Sequence, residues 1–327
     1  MKKQYKDPVN YKLTQSDVNN PGFSNFLDEL TDVPSSESLK PYSIDKAGIA
    51  EQSAYITIKA IDDNDIDVTM LINVCMQVEL KGHRGIHMSR CEEALFSLVD
   101  KTHTSLDAFT EKLSILLLNV QDSKKAFVSA EGTYMHKHLT KMSKKQSYDK
   151  MTLRAISTAT PKGTQTNIGM SAFNMTGCPC TETFTKFAVV PKLKKAGFDL
   201  NQISDILDIT VSGTHTQRGL ATINIDKTSN TVTYLKLYEI LDNSCHLVYE
   251  LLKRPDEHEL VVRVLRKPQF TEDVVRDIAG QLVHHFKKDI APTSKVFISS
   301  QLYDSIHIHD VYTEIEKKFS ELVAEDV

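Results

Sequence analysis

Ala54-Tyr55-Ile56-Thr57-Ile58, Asp62-Asp63-Asn64-Asp65 and Ile66-Asp67-Val68-Thr69-Met70-Leu71-Ile72-Asn73-Val74 make up the stretch from which the fold can be read. β-Branched and aromatic residues alternate with polar ones on both sides of a polar break. That is the pattern of an antiparallel hairpin with one buried face. Beyond it lie the loop Lys81 to Arg90 and a helical repeat in which Leu106, Phe109, Leu113, Leu116 and Leu117 recur at three- and four-residue steps. Residues 126–175 read as two or three strands interrupted by a solvated basic loop from Lys137 to Lys150. Lys192 to Leu207 reads as a helical hairpin broken at Gly197. Leu220 to Ile225 and Val296 to Ser300 read as strands, and Val232 to Leu252 and Glu272 to Phe286 as helices, the latter capped by Thr271. Each half therefore runs strand pair, helices, strands. The pattern predicts an α+β protein made of two copies of one unit, although the residues do not repeat.

The chain has 327 residues, 40% of them apolar and 25% charged, with a formal net charge of -4. Such a balance argues against a surface built to coat nucleic acid or anionic membrane. No stretch approaches the length of a membrane-spanning helix, and the polar N-terminus has no signal-peptide core. Five cysteines at irregular spacing are not a disulfide framework, so the expected compartment is the cytoplasm. Residues 1–42 are polar and read as an arm that orders against another subunit, with units expected at 43–165 and 166–327.

Four segments could carry chemistry. Cys178-Pro179-Cys180 is either a turn presenting a thiolate to a metal or a buried structural pair. Gly213-Thr214-His215-Thr216-Gln217-Arg218-Gly219 offers an imidazole ligand and a cation for phosphate or carboxylate, or only a polar loop. Leu251-Leu252-Lys253-Arg254-Pro255-Asp256-Glu257 is a solvated helix end, or a triphosphate clamp with a metal-binding carboxylate. In Asp304-Ser305-Ile306-His307-Ile308-His309-Asp310, an extended backbone would place His307 and His309 on one face, as a metal pair, a proton shuttle or two edge-strand residues. No Walker A loop, dinucleotide fingerprint, HExxH or GxSxG is present.

Taken in order, Lys81 to Arg90, Cys178 to Cys180, Thr214 to Gly219, Leu251 to Glu257, Phe270 to Asp277 and Ser305 to His309 resemble the type IB GTP cyclohydrolase family. The resemblance implies tandem tunnelling-fold units, each an antiparallel sheet backed by two helices. These would assemble as a homo-oligomeric barrel, a tetramer or dimer of dimers, with sites at subunit junctions. It implies hydrolysis of GTP at C8 with release of formate, then rearrangement to a 7,8-dihydroneopterin phosphate. Cys178, His215 and Glu257 would be metal ligands, with Asp304 a fourth ligand or a group behind them. Cys180 would be a hydrogen-bond or proton-transfer partner, Glu272 the guanine anchor and His307 the acid/base group. Arg84, Arg90, Arg218, Lys253 and Arg254 would face the triphosphate.

The chemistry suits these residue types. A divalent metal acidifies a water for attack at C8, a histidine near neutrality protonates the leaving ring nitrogen, and a carboxylate reads the guanine N1–H and 2-amino group. Thiolate, imidazole and carboxylate leave Fe2+, Zn2+ and Mn2+ open. The long link between Cys180 and His215 resembles the archaeal branch, associated with iron and a 2',3'-cyclic phosphate product, where the bacterial branch makes the triphosphate. Asp304 stands where the family usually has Glu, one methylene shorter. Two other readings remain at this point: a tunnelling-fold enzyme acting on another purine or pterin, and a non-catalytic binding protein of the same fold.

Overall fold

The computed structural model describes residues 32–62, 66–248, 250 and 253–326, with isolated positions 14, 16, 19, 20 and 22. Most of the expected N-terminal arm, and Asp63-Asn64-Asp65 of the expected turn, lie outside the described residues. The opening hairpin is β1 (Ile44–Lys59) and β2 (Asp67–Leu80), antiparallel from Lys59↔Asp67. Along β2, Met70, Ile72, Val74, Met76, Val78 and Leu80 are buried in strict alternation, the period-two signature of a half-buried strand. β1 starts ten residues before its alternation becomes visible, because its first part carries two register shifts that break the period. Gly48 lies there, where a Cβ would stand 2.0 Å from the Met76 carbonyl oxygen, so only glycine permits the pairing.

Next come α1 (Met88–Val99), β3 (Thr102–His103) and α2 (Leu106–Val120). The Ser105 hydroxyl caps α2 by accepting from the Ala108 amide, and Leu106, Phe109, Leu113 and Leu117 are fully buried. Three long strands follow, β4 (Ala126–Leu139), β5 (Gln146–Thr160) and β6 (Gly163–Gly177). The expected basic loop thus shrinks to residues 140–145. Lys137 and Lys150 belong to strands, and alternation lets Lys137 face solvent while His136 faces inward.

After β6 come α3 (Pro179–Ala188), α4 (Val190–Lys195) and α5 (Leu200–Ile209), with Gly197 at φ +94 turning between α4 and α5 as expected. Then follow β7 (Thr216–Asp226), α6 (Tyr234–Ser244), β8 (His246–Leu247), α7 (Arg254–Arg266), α8 (Thr271–Phe286), β9 (Lys295–Leu302), β10 (Val311–Lys318) and α9 (Phe319–Glu325). The helix expected to run to Leu252 ends at Ser244, where His246 and Leu247 pair with β6 instead. Lys253 to Glu257, expected at a helix end, begins a helix. Pro255 is tolerated in its first turn, and Asp256 and Glu257 suit its positive pole. Thr271 does not cap α8, since its hydroxyl donates to the Ser300 carbonyl, and Asp273 accepts from the Phe270 amide instead.

Among the described residues the strands form a ten-stranded sheet ordered β10-β9-β7-β6-β5-β4-β2-β1-β3, with β8 paired to β6. The pairings are antiparallel except β1 with β3, so this is an α+β fold with a mixed sheet flanked by helices. Two helices lie between β2 and β4, and α6, α7 and α8 between β7 and β9. One cluster of buried side chains runs through both halves. The expected boundary at residues 165/166 falls inside β6, whose pairing with β5 makes the sheet continuous. No described helix is long and apolar enough to cross a membrane.

Candidate active site

The candidate residues gather where β6 ends and β7 begins. Cys178 caps α3 with extended backbone (φ -79, ψ 114), and its side chain makes no capping hydrogen bond. Pro179 is the first helical residue, where its missing N–H costs nothing. The thiol of Cys178 is half-buried and that of Cys180 is exposed. The Cys178 amide donates to the His215 carbonyl at 3.2 Å, and the Thr214 hydroxyl donates to the Cys178 carbonyl at 2.8 Å. These bonds close the base of the α3–α5 insertion, and the ladder continues from Gly177↔Thr216.

His215 Nδ1 lies 2.9 Å from Gln217 Oε1 and 3.4 Å from the Ser305 hydroxyl, and Gln217 Nε2 donates to Thr176 at 3.2 Å. The β9–β10 loop reaches the same place because β7 pairs with β9 and the Tyr303 amide donates to the Arg218 carbonyl. This loop is not extended, contrary to the condition set for the two histidines. Asp304 Oδ1 accepts from the amides of Ile306 and His307 at 2.8 and 2.9 Å, and these bonds fold the segment into a turn. The same two N–H groups, helped by the His307 imidazole at 3.2 Å, hold the Asp304 carboxyl at about 2, below the usual range. The rings of His307 and His309 nonetheless stack, 5.3 Å apart. Arg218 is exposed, its guanidinium 5.9 Å from the Phe173 ring centre.

Glu272 is exposed in the first turn of α8, whose start is tied to β9 by the Thr271–Ser300 bond. Lys253, Arg254 and Glu257 are exposed at the start of α7. A Cβ on Gly177 would touch Val264, two helical turns along α7 from Glu257, or about 11 Å. Asp256, 3% exposed, fixes this helix start. It accepts from the amides of Met142 and Ser143 at 2.9 and 3.0 Å and from the Ser143 hydroxyl at 2.5 Å. Burial pushes its carboxyl up, but these bonds outweigh burial and hold it well below the usual range. Neither Asp256 nor Gln217 had a role in the sequence reading. The available signal was position, since Gln217 is two residues from His215 and Asp256 sits three residues into a helix start.

Arg84 and Arg90 stand apart from this group. β2 is antiparallel to β4, so Leu80 lies at the end of the sheet opposite to Leu139 and Gly177. Arg90 donates to the Val120 carbonyl at 3.2 Å, and the Arg84 amide bonds the Ser36 carbonyl at 2.8 Å. One chain therefore joins Cys178, His215, Asp304 and His307 around one sheet end and leaves Arg84 and Arg90 at the other. The donor types of Cys178 and His215 suit a borderline divalent metal: a thiol without a capping bond and an imidazole held at one nitrogen, on residues joined through their backbones. Among the described residues, no three His, Cys, Asp or Glu side chains are grouped closely enough to hold an ion.

Two archaeal proteins named GTP cyclohydrolase MptA are similar over nearly their full length. The one from Methanococcus vannielii is 29% identical over 308 residues, covering 90% of this chain and 98% of that protein. The one from Methanococcus maripaludis strain C7 is 28% identical over 308 residues, covering 90% and 97%. Among solved structures, a uricase from Arthrobacter globiformis overlaps 86% of this chain and 95% of its own with a TM-score of 0.46 at 7% identity, too loose to argue from. The model of type I GTP cyclohydrolase folE2 matches residues 30–313, and on that match the chain belongs to the type I GTP cyclohydrolase folE2 family.

Proposed function

We propose that this protein is a metal-dependent GTP cyclohydrolase of pterin biosynthesis, opening the imidazole ring of GTP at C8, with formate and a 7,8-dihydroneopterin phosphate as products. The observation that carries the reading is the backbone joint between Cys178 and His215, which makes a cysteine and a histidine cross-strand neighbours at the end of the β6–β7 ladder. Cys178 and His215 would hold the metal, and Glu257, the third ligand that the family resemblance implies, would approach from the start of α7. When bound, the metal acidifies a water and polarises the reacting centre. Glu272 accepts from the guanine N1–H and 2-amino group, which excludes adenine. His307 gives a proton to the ring nitrogen as its bond to C8 breaks, and Asp304, bonded to His307 Nδ1, orients that ring. Cys180, exposed in the first turn of α3, serves as a hydrogen-bond or proton-transfer partner. Arg218, Lys253 and Arg254 neutralise the phosphates.

The fold is read as tandem tunnelling-fold units, 43–165 and 166–327, behind an arm at 1–42, assembling as a homo-oligomeric barrel. Two helices between β2 and β4, mirrored by helices between β7 and β9, support the duplication. The separation of Arg84 and Arg90 from Cys178 supports sites shared between copies, in which these arginines reach a neighbour's triphosphate. The long link between Cys180 and His215 resembles the archaeal branch, and on that resemblance iron and the 2',3'-cyclic phosphate product are preferred to the triphosphate. The test is incubation of protein reconstituted with Fe2+, Mn2+ or Zn2+ with GTP, assaying formate and weighing the pterin by mass spectrometry. Absence of formate with all three metals overturns the reading, and the mass of the pterin decides between the two products.

A further inference from the structure

We infer that Gln217 is a positioning residue that fixes the tautomer of His215 and so presents Nε2, rather than Nδ1, to the metal. The inference rests on the reading of His215 as a ligand. A neutral imidazole carries one N–H, and which nitrogen holds it is set by what the other ring nitrogen or its hydrogen meets. Gln217 turns Oε1, which only accepts, towards Nδ1 at 2.9 Å, an arrangement that is satisfied when the ring carries its hydrogen there. Nε2 is then left with its lone pair.

The amide is itself held. Gln217 stands directly opposite Thr176 in the β6–β7 ladder, and its Nε2–H donates across to the Thr176 hydroxyl at 3.2 Å. The Ser305 hydroxyl approaches Oε1 at 3.5 Å and Nδ1 at 3.4 Å from the β9–β10 loop, both longer than the Gln217–His215 contact. Gln217 is 8% exposed, so water does not replace these partners. Because Thr176 is two residues before Cys178 on β6 and Gln217 two residues after His215, one cross-strand pair lies directly behind the thiol–imidazole pair. The same ladder that joins the two ligands also orients one of them.

The test uses metal-free full-length protein labelled with 15N-histidine, at about pH 8.5, above the ordinary imidazole range. His215→Ala identifies the resonance. The expected spectrum shows His215 protonated at Nδ1 in the wild type and in Gln217→Glu, which keeps an acceptor oxygen. In Gln217→Met the hydrogen moves towards Nε2. Zn2+ affinity, measured against a chromophoric chelator, should fall about 10- to 100-fold in Gln217→Met and stay near wild type in Gln217→Glu. A wild-type His215 protonated at Nε2, or a Gln217→Met protein with unchanged tautomer and affinity, overturns the inference. If Gln217→Met does not fold, the wild-type spectrum and Thr176→Val decide. Zn2+ affinity unchanged in His215→Ala overturns the ligand assignment, while the tautomer spectrum separately tests what Gln217 does to the ring.

Discussion

The backbone amide of Cys178 donates to the carbonyl of His215 at 3.2 Å, so the two ends of a long helical insertion meet as a single backbone joint. Everything between them, α3 to α5, buries one side chain, Ile203, among its helical residues. The joint therefore depends on the β6–β7 ladder and not on the insertion.

Cys178→Ala and His215→Ala should each abolish tight metal binding while the far-UV spectrum persists. Cys180→Ala should retain the metal, because its thiol points to solvent. Metal content after gel filtration reads this directly. Full occupancy in Cys178→Ala would move the ligand to Cys180.

Asp256 ties residues 142 and 143 to the start of α7, which carries Lys253, Arg254 and Glu257. Asp256→Asn and Ser143→Ala should speed amide hydrogen exchange at residues 142–143 and in the first turn of α7. They should also raise KM for GTP more than they lower kcat, since Lys253 and Arg254, proposed above to face the phosphates, move with that turn. Exchange rates equal to wild type would show the clamp to be dispensable.

Lys227 donates to the buried Asp107 at 2.6 Å, joining the end of β7 to α2 across the two halves. Removing one partner strands the other charge in the interior. Lys227→Met should cost about 3 kcal/mol, and Asp107→Leu with Lys227→Met should recover most of it. Urea unfolding of the three proteins measures the difference.

His103 and His246 are buried, and burial lowers the pKa of both below the ordinary histidine value, although each also donates to a backbone carbonyl. The folded state keeps these rings neutral while the unfolded chain takes up protons below about pH 6.5. Stability should therefore be fully present above that pH and decline as pH falls towards the depressed folded values. Substituting His103→Gln should flatten part of that slope in urea midpoints taken from pH 8 to 5. An unchanged slope would exclude His103 from it.

Much of the fold was legible because its signals are local. Alternation in β2 and the three- and four-residue steps of α2 follow from one buried face per element, and both matched. The misreadings came where tertiary partners override a local pattern. The long helix expected from Val232 ends at Ser244 because His246 and Leu247 find β6. Thr271 has the chemistry of a cap but bonds β9 instead. A bulged first half of β1 hides its own period.

By itself the sequence determined which residue types exist for the chemistry: two cysteines around a proline, His215, Glu257, Glu272 and His307, in an order that marks the family. Only the tertiary structure decided who stands beside whom. Antiparallel pairing carries Cys178 and His215 to one end of the sheet and Arg84 and Arg90 to the other. It also sets Thr176 opposite Gln217, behind the imidazole. Spacing along the chain cannot encode these neighbours, because a ladder joins residues far apart in sequence through backbone bonds that depend on no particular side chain.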